Sequence, residues 1–240
     1  MSYKEVISLM KKSEFEDALK LCINVTNKNN KVIGRLVPVG DWILSDIDKV
    51  ELIRAWRQRA MRMFLTQFES TYERTYGYLK NLSIAQDGRI FFLLYDEEGR
   101  FVGHMGIADV DGKSGELDNL MRGLDGGDPR LVYFAEIALL DWCFKNLGIN
   151  ESDVRVLSYN WLVISLHEEV GYTTQENIPL KKSSKDGVTF HDLSSAEESN
   201  VKYSCTKMLL KKDNFYKVNE WLKAYPSRPI LRQVTMPQAR

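Results

Sequence analysis

The chain is poor in the residues from which metal centres and disulfide frameworks are built. Its 240 residues hold three cysteines, Cys22, Cys143 and Cys205, and three histidines, His104, His167 and His191. They are scattered, and no Cys-x-x-Cys or Cys/His ligand spacing occurs. No metal site and no disulfide framework is therefore expected, and reduced thiols fit a cytoplasmic protein. Net charge is missing as well: 33 basic and 33 acidic side chains cancel. That removes the bulk attraction toward nucleic acid or an anionic membrane, so neither is expected as a partner. The longest apolar run, Ile90 to Tyr95, is six residues, a strand length and far short of the roughly twenty that cross a bilayer. Met1 to Lys20 is charged throughout and has no apolar core, so it does not read as a secretory signal. Internal repeats and low-complexity tracts are absent too.

What is present is 44% hydrophobic residues, enough for one sizeable domain with its own core. Residues 1–30 read as helix, with Val6, Ile7, Met10, Phe15, Ala18, Leu19 and Cys22 at roughly three-and-four spacing. The segment 1–31 is read as a helical extension outside the main domain, 32–212. A strand is expected over Val32 to Val39. Asp46 is a fitting N-cap for a following helix that carries Arg54, Arg57, Arg59 and Arg62. Those arginines form either a solvated face or a lip over a phosphorylated substrate. A second helix is expected over Thr71 to Leu79.

A hairpin follows, Arg89 to Tyr95 and Phe101 to Ala108, joined by the acidic turn Asp96-Glu97-Glu98-Gly99. Glu116 to Met121 is a third strand. Leu131 to Asn146 is apolar on most sides and so is a buried helix. Val154 to Ser158 is a strand and Trp161 to Val170 a helix. The runs Val188 to Leu193 and Lys202 to Leu210 are β-like. Residues 213–240 read as a helix, Asn214 to Lys223, and an extended tail, Tyr225 to Arg240. A meander followed by a βαβ crossover predicts an α+β fold: a mixed, mostly antiparallel sheet with helices on both faces.

Four phrases in this order carry a resemblance. They are Phe91-Phe92-Leu93-Leu94-Tyr95 with Phe101-Val102-Gly103-His104-Met105-Gly106; Gly115-Glu116-Leu117-Asp118; Asp141-Trp142-Cys143-Phe144-Lys145-Asn146-Leu147-Gly148; and Asn160 to Gly171-Tyr172. Over roughly residues 32–212 the chain resembles the GNAT superfamily of acyl-CoA N-acyltransferases. The resemblance implies a splayed cleft for acetyl-CoA. It implies that the pantetheine arm runs along the backbone of Asn119, Leu120 and Met121, and that Asn160 approaches that arm. It implies a pyrophosphate over Arg122, Gly123, Gly126, Gly127 and Arg130, at the N-terminus of the buried helix, where free amides and the helix dipole favour anions. The glycines sit earlier than the family pattern has them. Asp125 and Asp128 intrude, and Pro129 removes a donor.

The chemistry needs an acid for the departing CoA thiolate and a base for the amine. The position seven after the Asn, often Tyr in the family, holds His167, whose imidazolium can donate a proton; Tyr159 and Tyr172 are nearby alternatives. Glu116 and Asp118 share a strand face and are the candidate bases, with His104 on the neighbouring strand as a third. Cys143, inside the apolar helix, reads as packing and not as a nucleophile. The expected function is direct acetyl transfer from acetyl-CoA to a primary amine. The amine is expected to be a small molecule, most readily an amino sugar or nucleotide-linked amino sugar. A protein N-terminus, another small amine, and a non-catalytic GNAT-like binding domain are the alternatives, and a homo-oligomer is compatible with all of them.

Overall fold

The structure, a computed structural model, describes residues 1–224. In chain order its elements are α1 (Tyr3–Met10), α2 (Phe15–Lys20), β1 (Ile23–Thr26), β2 (Val32–Pro38), α3 (Ile47–Arg59), β3 (Thr66–Gln67), α4 (Tyr72–Tyr78), β4 (Ile90–Asp96), β5 (Phe101–Ala108), β6 (Ser114–Arg122), α5 (Leu131–Asn146), β7 (Glu151–Leu157), α6 (Trp161–Val170), β8 (Thr173–Lys185), β9 (Val188–Leu193), β10 (Ser204–Lys211) and α7 (Lys212–Val218). The strands form one sheet in the order β1-β2-β4-β5-β6-β7-β10-β8-β9-β3. Each neighbouring pair is antiparallel except β6 and β7. The mixed α+β architecture expected from the element order is the one observed.

Strand β4 shows why helices must cover both faces. Ile90, Phe92 and Leu94 are buried in one core, with Leu140, Phe144 and Tyr133 of α5 and with Val6, Ile7 and Met10 of α1. Phe91 and Leu93 are buried in a second core, with Val50, Ile53 and Trp56 of α3 and Ala18 of α2. Alternate residues of a strand point to opposite faces, so a strand apolar at every position needs two partners. Phe92 meets Trp142 edge-on at 5.7 Å, a favoured aromatic geometry.

Helix ends follow local chemistry. Asp46 caps α3 by accepting from the Lys49 amide at 3.0 Å, Thr71 caps α4 from Arg74, and Gly171 closes α6 at φ +119°, a conformation glycine tolerates.

Several expectations need correction. Residues 1–30 are two short helices and a strand, not one helix. Ile23-Asn24-Val25-Thr26 pairs with β2 and buries Val25 in the core. Four residues are too few to show an alternation against the helical spacing before them. Strands β3 and β8 were not foreseen. Within β8 only Leu180 is buried, so no apolar period marks it. The last helix is shorter than expected and is followed by a 3-10 turn, Glu220–Lys223. The tail expected from Tyr225 lies outside the described residues.

Candidate active site

The parallel pair β6–β7 is joined only from Ser114↔Glu151 to Glu116↔Asp153. Beyond that point the two strands separate. The inner edges of Asp118–Arg122 and Val154–Val156 then line a cleft of about 560 Å³. Two open edges in one cleft are backbone donors and acceptors waiting for a peptide-like arm. The Glu116–Arg155 ion pair spans the strands where they begin to part, with contacts of 3.0 and 2.5 Å.

A bulge sits at the centre of the cleft wall. His104 opposes Met121 and Gly106 opposes Asp118, so β6 carries one residue more than β5 between those points. Asn119 absorbs the difference at φ +55°, a region Asn enters more easily than most residues. Its carbonyl accepts from His104 Nδ1 at 2.8 Å, and its side-chain amide donates to Tyr78 Oη at 2.8 Å. Bulges beside active sites re-aim backbone groups, and here the aim is fixed from both sides.

His104 is therefore part of the frame and not a base. Its ring lies against Trp56 and Phe91. Burial pushes its pKa down from 6.5 to about 4, against the raising effect of the Asn119 carbonyl. The unfolded chain takes up this proton first as pH falls. The stability due to neutral His104 is thus intact above about pH 6.5 and drains away toward pH 4. The full loss is roughly 3 kcal/mol. Urea melts between pH 7 and 4.5 should show this slope, and His104→Gln should flatten it; an unchanged slope in the variant would remove His104 as its source.

The two candidate bases both line the cleft, and both are engaged. Asp118 accepts from Arg89 at 2.5 Å. Glu116 holds Arg155, yet desolvation outweighs that partner and raises its carboxyl above the usual range. A carboxyl raised in this way and lining the cleft is suited to accepting a proton there.

His167 lies on the inner face of α6, 1% exposed, and lines the cleft. Its Nδ1 is 2.7 Å from Oε1 of Glu136, itself fully buried on α5. It is thus neither solvated nor an ordinary core residue. Tyr172 stands behind it with its hydroxyl on Ser152 and its pKa well above the usual value because it is buried. Tyr159 donates to the Arg62 carbonyl. Neither tyrosine lines the cleft, whereas His167 does.

Asn160 makes no capping hydrogen bond to α6 and lines the cleft, as do Asn119, Leu120, Met121, Arg122 and Arg130. Arg122 donates to the carbonyls of Gly126, Leu124 and Pro129 and has no carboxylate partner among the described residues. Arg130 is held by Glu169 and lies over the Tyr133 ring at 4.0 Å.

The glycines are placed differently from the expectation, because none of Gly123, Gly126 and Gly127 lines the cleft. A side chain on Gly123 would overlap the Trp56 ring at 2.0 Å, one on Gly126 would meet Arg100, and one on Gly127 would meet Asp96. Their smallness serves packing against α3 and the β4–β5 turn. At that end the cleft is lined by Arg122 and by Val132 and Tyr133 of the first turn of α5, where a helix leaves amides without an intrahelical partner.

Of the four arginines read as a solvated face or a lip, Arg54 and Arg57 are half-buried, whereas Arg59 and Arg62 are exposed to solvent. Arg54 holds Glu51 and the Ser70 carbonyl. Arg59 holds the Gly123 carbonyl. Arg57 lies 3.2 Å over the Phe64 ring and donates to Thr66, and burial lowers its pKa to about 10. Ala60, Met63 and Phe64, just beyond them, form one lip of the cleft.

No family model matches the sequence, and no curated protein matches it. Solved structures do. A spermidine N-acetyltransferase from Vibrio cholerae, solved with CoA and spermine, aligns at TM-score 0.56 and 12% identity over 77% of this chain and 99% of its own. A GCN5-related N-acetyltransferase from Brucella melitensis aligns at 0.57 and 13% over 82% and 84%. FdhC, a nucleotide-linked sugar GNAT solved in the apo state, aligns at 0.56 and 14% over 84% and 96%. With its parted parallel strands and bulged cleft wall, the chain has the fold of the GCN5-related N-acetyltransferases.

Proposed function

We propose that the protein is an acetyl-CoA-dependent N-acetyltransferase that transfers the acetyl group directly to a primary amine. The observation that carries this reading is the cleft between β6 and β7, with two unpaired strand edges along its walls. The amide-rich pantetheine arm would lie along the backbone of Asn119, Leu120 and Met121, with Asn160 opposite. Arg122 and the α5 amides would take the pyrophosphate. A spermidine acetyltransferase of the same fold has been solved with CoA, which supports the choice of cofactor. Acetyl-CoA supplies the activated acyl group, and the chain supplies orientation, a base at Glu116 and an acid at His167. A covalent route is disfavoured because Cys143 is fully buried, with its thiol raised well above the usual pKa.

The acceptor end favours an amine that also carries negative charge. Both carboxylates there, Glu116 and Asp118, are already paired with Arg155 and Arg89. A polyamine needs free carboxylates. Arg57 nearby has no ion-pair partner among the described residues, and an Arg-rich surround suits phosphate. A nucleotide-linked amino sugar meets both conditions, and FdhC acts as a precedent for that substrate class on this fold. A cytoplasmic location suits such a substrate.

The test is thiol release from acetyl-CoA with three acceptors compared: a nucleotide-linked amino sugar, spermidine and a short peptide with a free N-terminus. We expect the first to have the highest kcat/KM by at least tenfold. Preference for spermidine would overturn the charge argument, and turnover of none, with acetyl-CoA bound, would favour a non-catalytic role.

A further inference from the structure

The buried Glu136–His167 pair is used by nothing in the packing of α5 against the sheet. Helix α5 is otherwise lined on this side by Leu131, Ala135, Leu139, Leu140 and Cys143, each fully buried. A carboxylate in such a place is costly, and an apolar residue of similar volume would often serve stability as well or better. Glu136 is 0% exposed, and its Oε2 has no hydrogen-bond partner among the described residues. Its Oε1 reaches one group, Nδ1 of His167, at 2.7 Å. The remaining ring nitrogen of His167, Nε2, has no protein partner among the described residues, and His167 lines the cleft.

We propose that Glu136 is a positioning residue that holds His167 in the Nδ1–H tautomer, so that Nε2 faces the cleft as the one group that both accepts and donates the transferred proton. This rests on the acetyl-transfer reading above.

The proton count closes. The neutral amine nitrogen bonds to the acyl carbon, and the carbon–sulfur bond breaks with its electron pair going to sulfur. The nitrogen's proton goes to Nε2, and Nε2–H gives a proton to the thiolate. Glu136 takes no proton in this count and steadies the imidazolium while it exists, through the Nδ1–H bond. Glu116 serves the earlier step, taking the proton from the ammonium form of the amine. Other groups around the ring leave this role to Glu136. Tyr172, 5.3 Å away centroid to centroid, is bonded to Ser152. Tyr133 on α5 lies under Arg130, and Glu169 is paired with that arginine. Asp153 on β7 acts on Tyr172 only at a distance.

The test has two readouts on the full chain. In protein labelled with ¹⁵N-histidine, the neutral His167 ring should show a protonated Nδ1 and a bare Nε2. Glu136→Gln, whose amide can also donate to Nδ1, should lose that preference. With acetyl-CoA and the best amine of the panel, Glu136→Gln should lower kcat tenfold or more and leave the KM for acetyl-CoA within about twofold. Glu136→Asp, which keeps the carboxylate, should recover part of both signals. An Nε2–H tautomer in the native protein, or an unchanged tautomer and kcat in Glu136→Gln, would overturn the proposal. If the Gln variant does not fold, the native spectrum and the Asp variant still decide it. Should no amine be turned over, the transfer reading fails while the spectra still test the tautomer.

Discussion

Replacing His167 with glutamine should lower kcat for acetyl transfer by two to four orders of magnitude while leaving the Kd for CoA within about twofold. That range is what a positioned general acid–base group contributes. Glutamine fills most of the space of the ring and can still bond Glu136, so the fold should survive and the change should fall on chemistry. The expected split follows from where His167 sits. It lines the cleft from α6, while the strand edges and Arg122 that would hold the cofactor belong to β6 and β7. Steady-state kinetics with a calorimetric Kd for CoA check both halves. Equal losses in kcat and in CoA affinity would mean that His167 shapes the cleft and moves no proton.

The second large effect is expected far from any reacting atom. Gly123→Ala should destabilise the protein by about 3 kcal/mol or more, a fall in Tm on the order of 10 °C for a chain of this size. The added Cβ would lie 2.0 to 2.3 Å from three atoms of the Trp56 ring. That ring cannot give way, because it is 2% exposed and packed on Phe101 at 4.7 Å and His104 at 6.1 Å. The Gly123 amide also donates to Val102 at 2.7 Å, and its carbonyl accepts from Arg59. The loop therefore cannot move without breaking both. Since Arg122 precedes it, any displacement should also weaken acetyl-CoA binding. A double-mutant cycle with Trp56→Leu measures the overlap directly: the pair should be more stable than the sum of the two single losses by 1 kcal/mol or more. Additive losses would mean that the clash is relieved elsewhere.

The sequence carried the elements with a strong, long signal. Helices α5 and α6 were legible to the residue because each is a long, mostly apolar stretch with glycine just beyond its end, at Gly148 and Gly171. The β4–β5 hairpin was legible from its six-residue apolar run and acidic turn. The strands that were not legible, β1, β3 and β8, are short or mostly exposed. They owe their form to pairing with β2, β9 and β10 and not to their own pattern.

The site divides in the same way. Asn160, His167, Glu116, Asp118 and the stretch from Asn119 to Arg122 were named from local phrases, and all line one cleft. The partners that give them meaning were not foreseen. Glu136 lies in α5, which read only as a buried helix apolar on most sides. Its inward aim depends on His167, thirty-one residues further on, and no local pattern records that. His104 read as a possible base because strand position says nothing about a neighbour's carbonyl. The bulge at Asn119 turned that carbonyl toward the ring. The glycines after β6 were assigned to phosphate because smallness was legible, whereas the groups they make room for, Trp56, Arg100 and Asp96, come from other elements.

The central claim is that the cleft between β6 and β7 is an acyl-CoA site. Calorimetric titration of the full chain with acetyl-CoA, with free CoA alongside, tests it most directly. The account expects saturable one-to-one binding in the micromolar range, about −8 kcal/mol, weakened by Arg122→Gln. No binding up to about millimolar, weaker than roughly −4 kcal/mol, would contradict it.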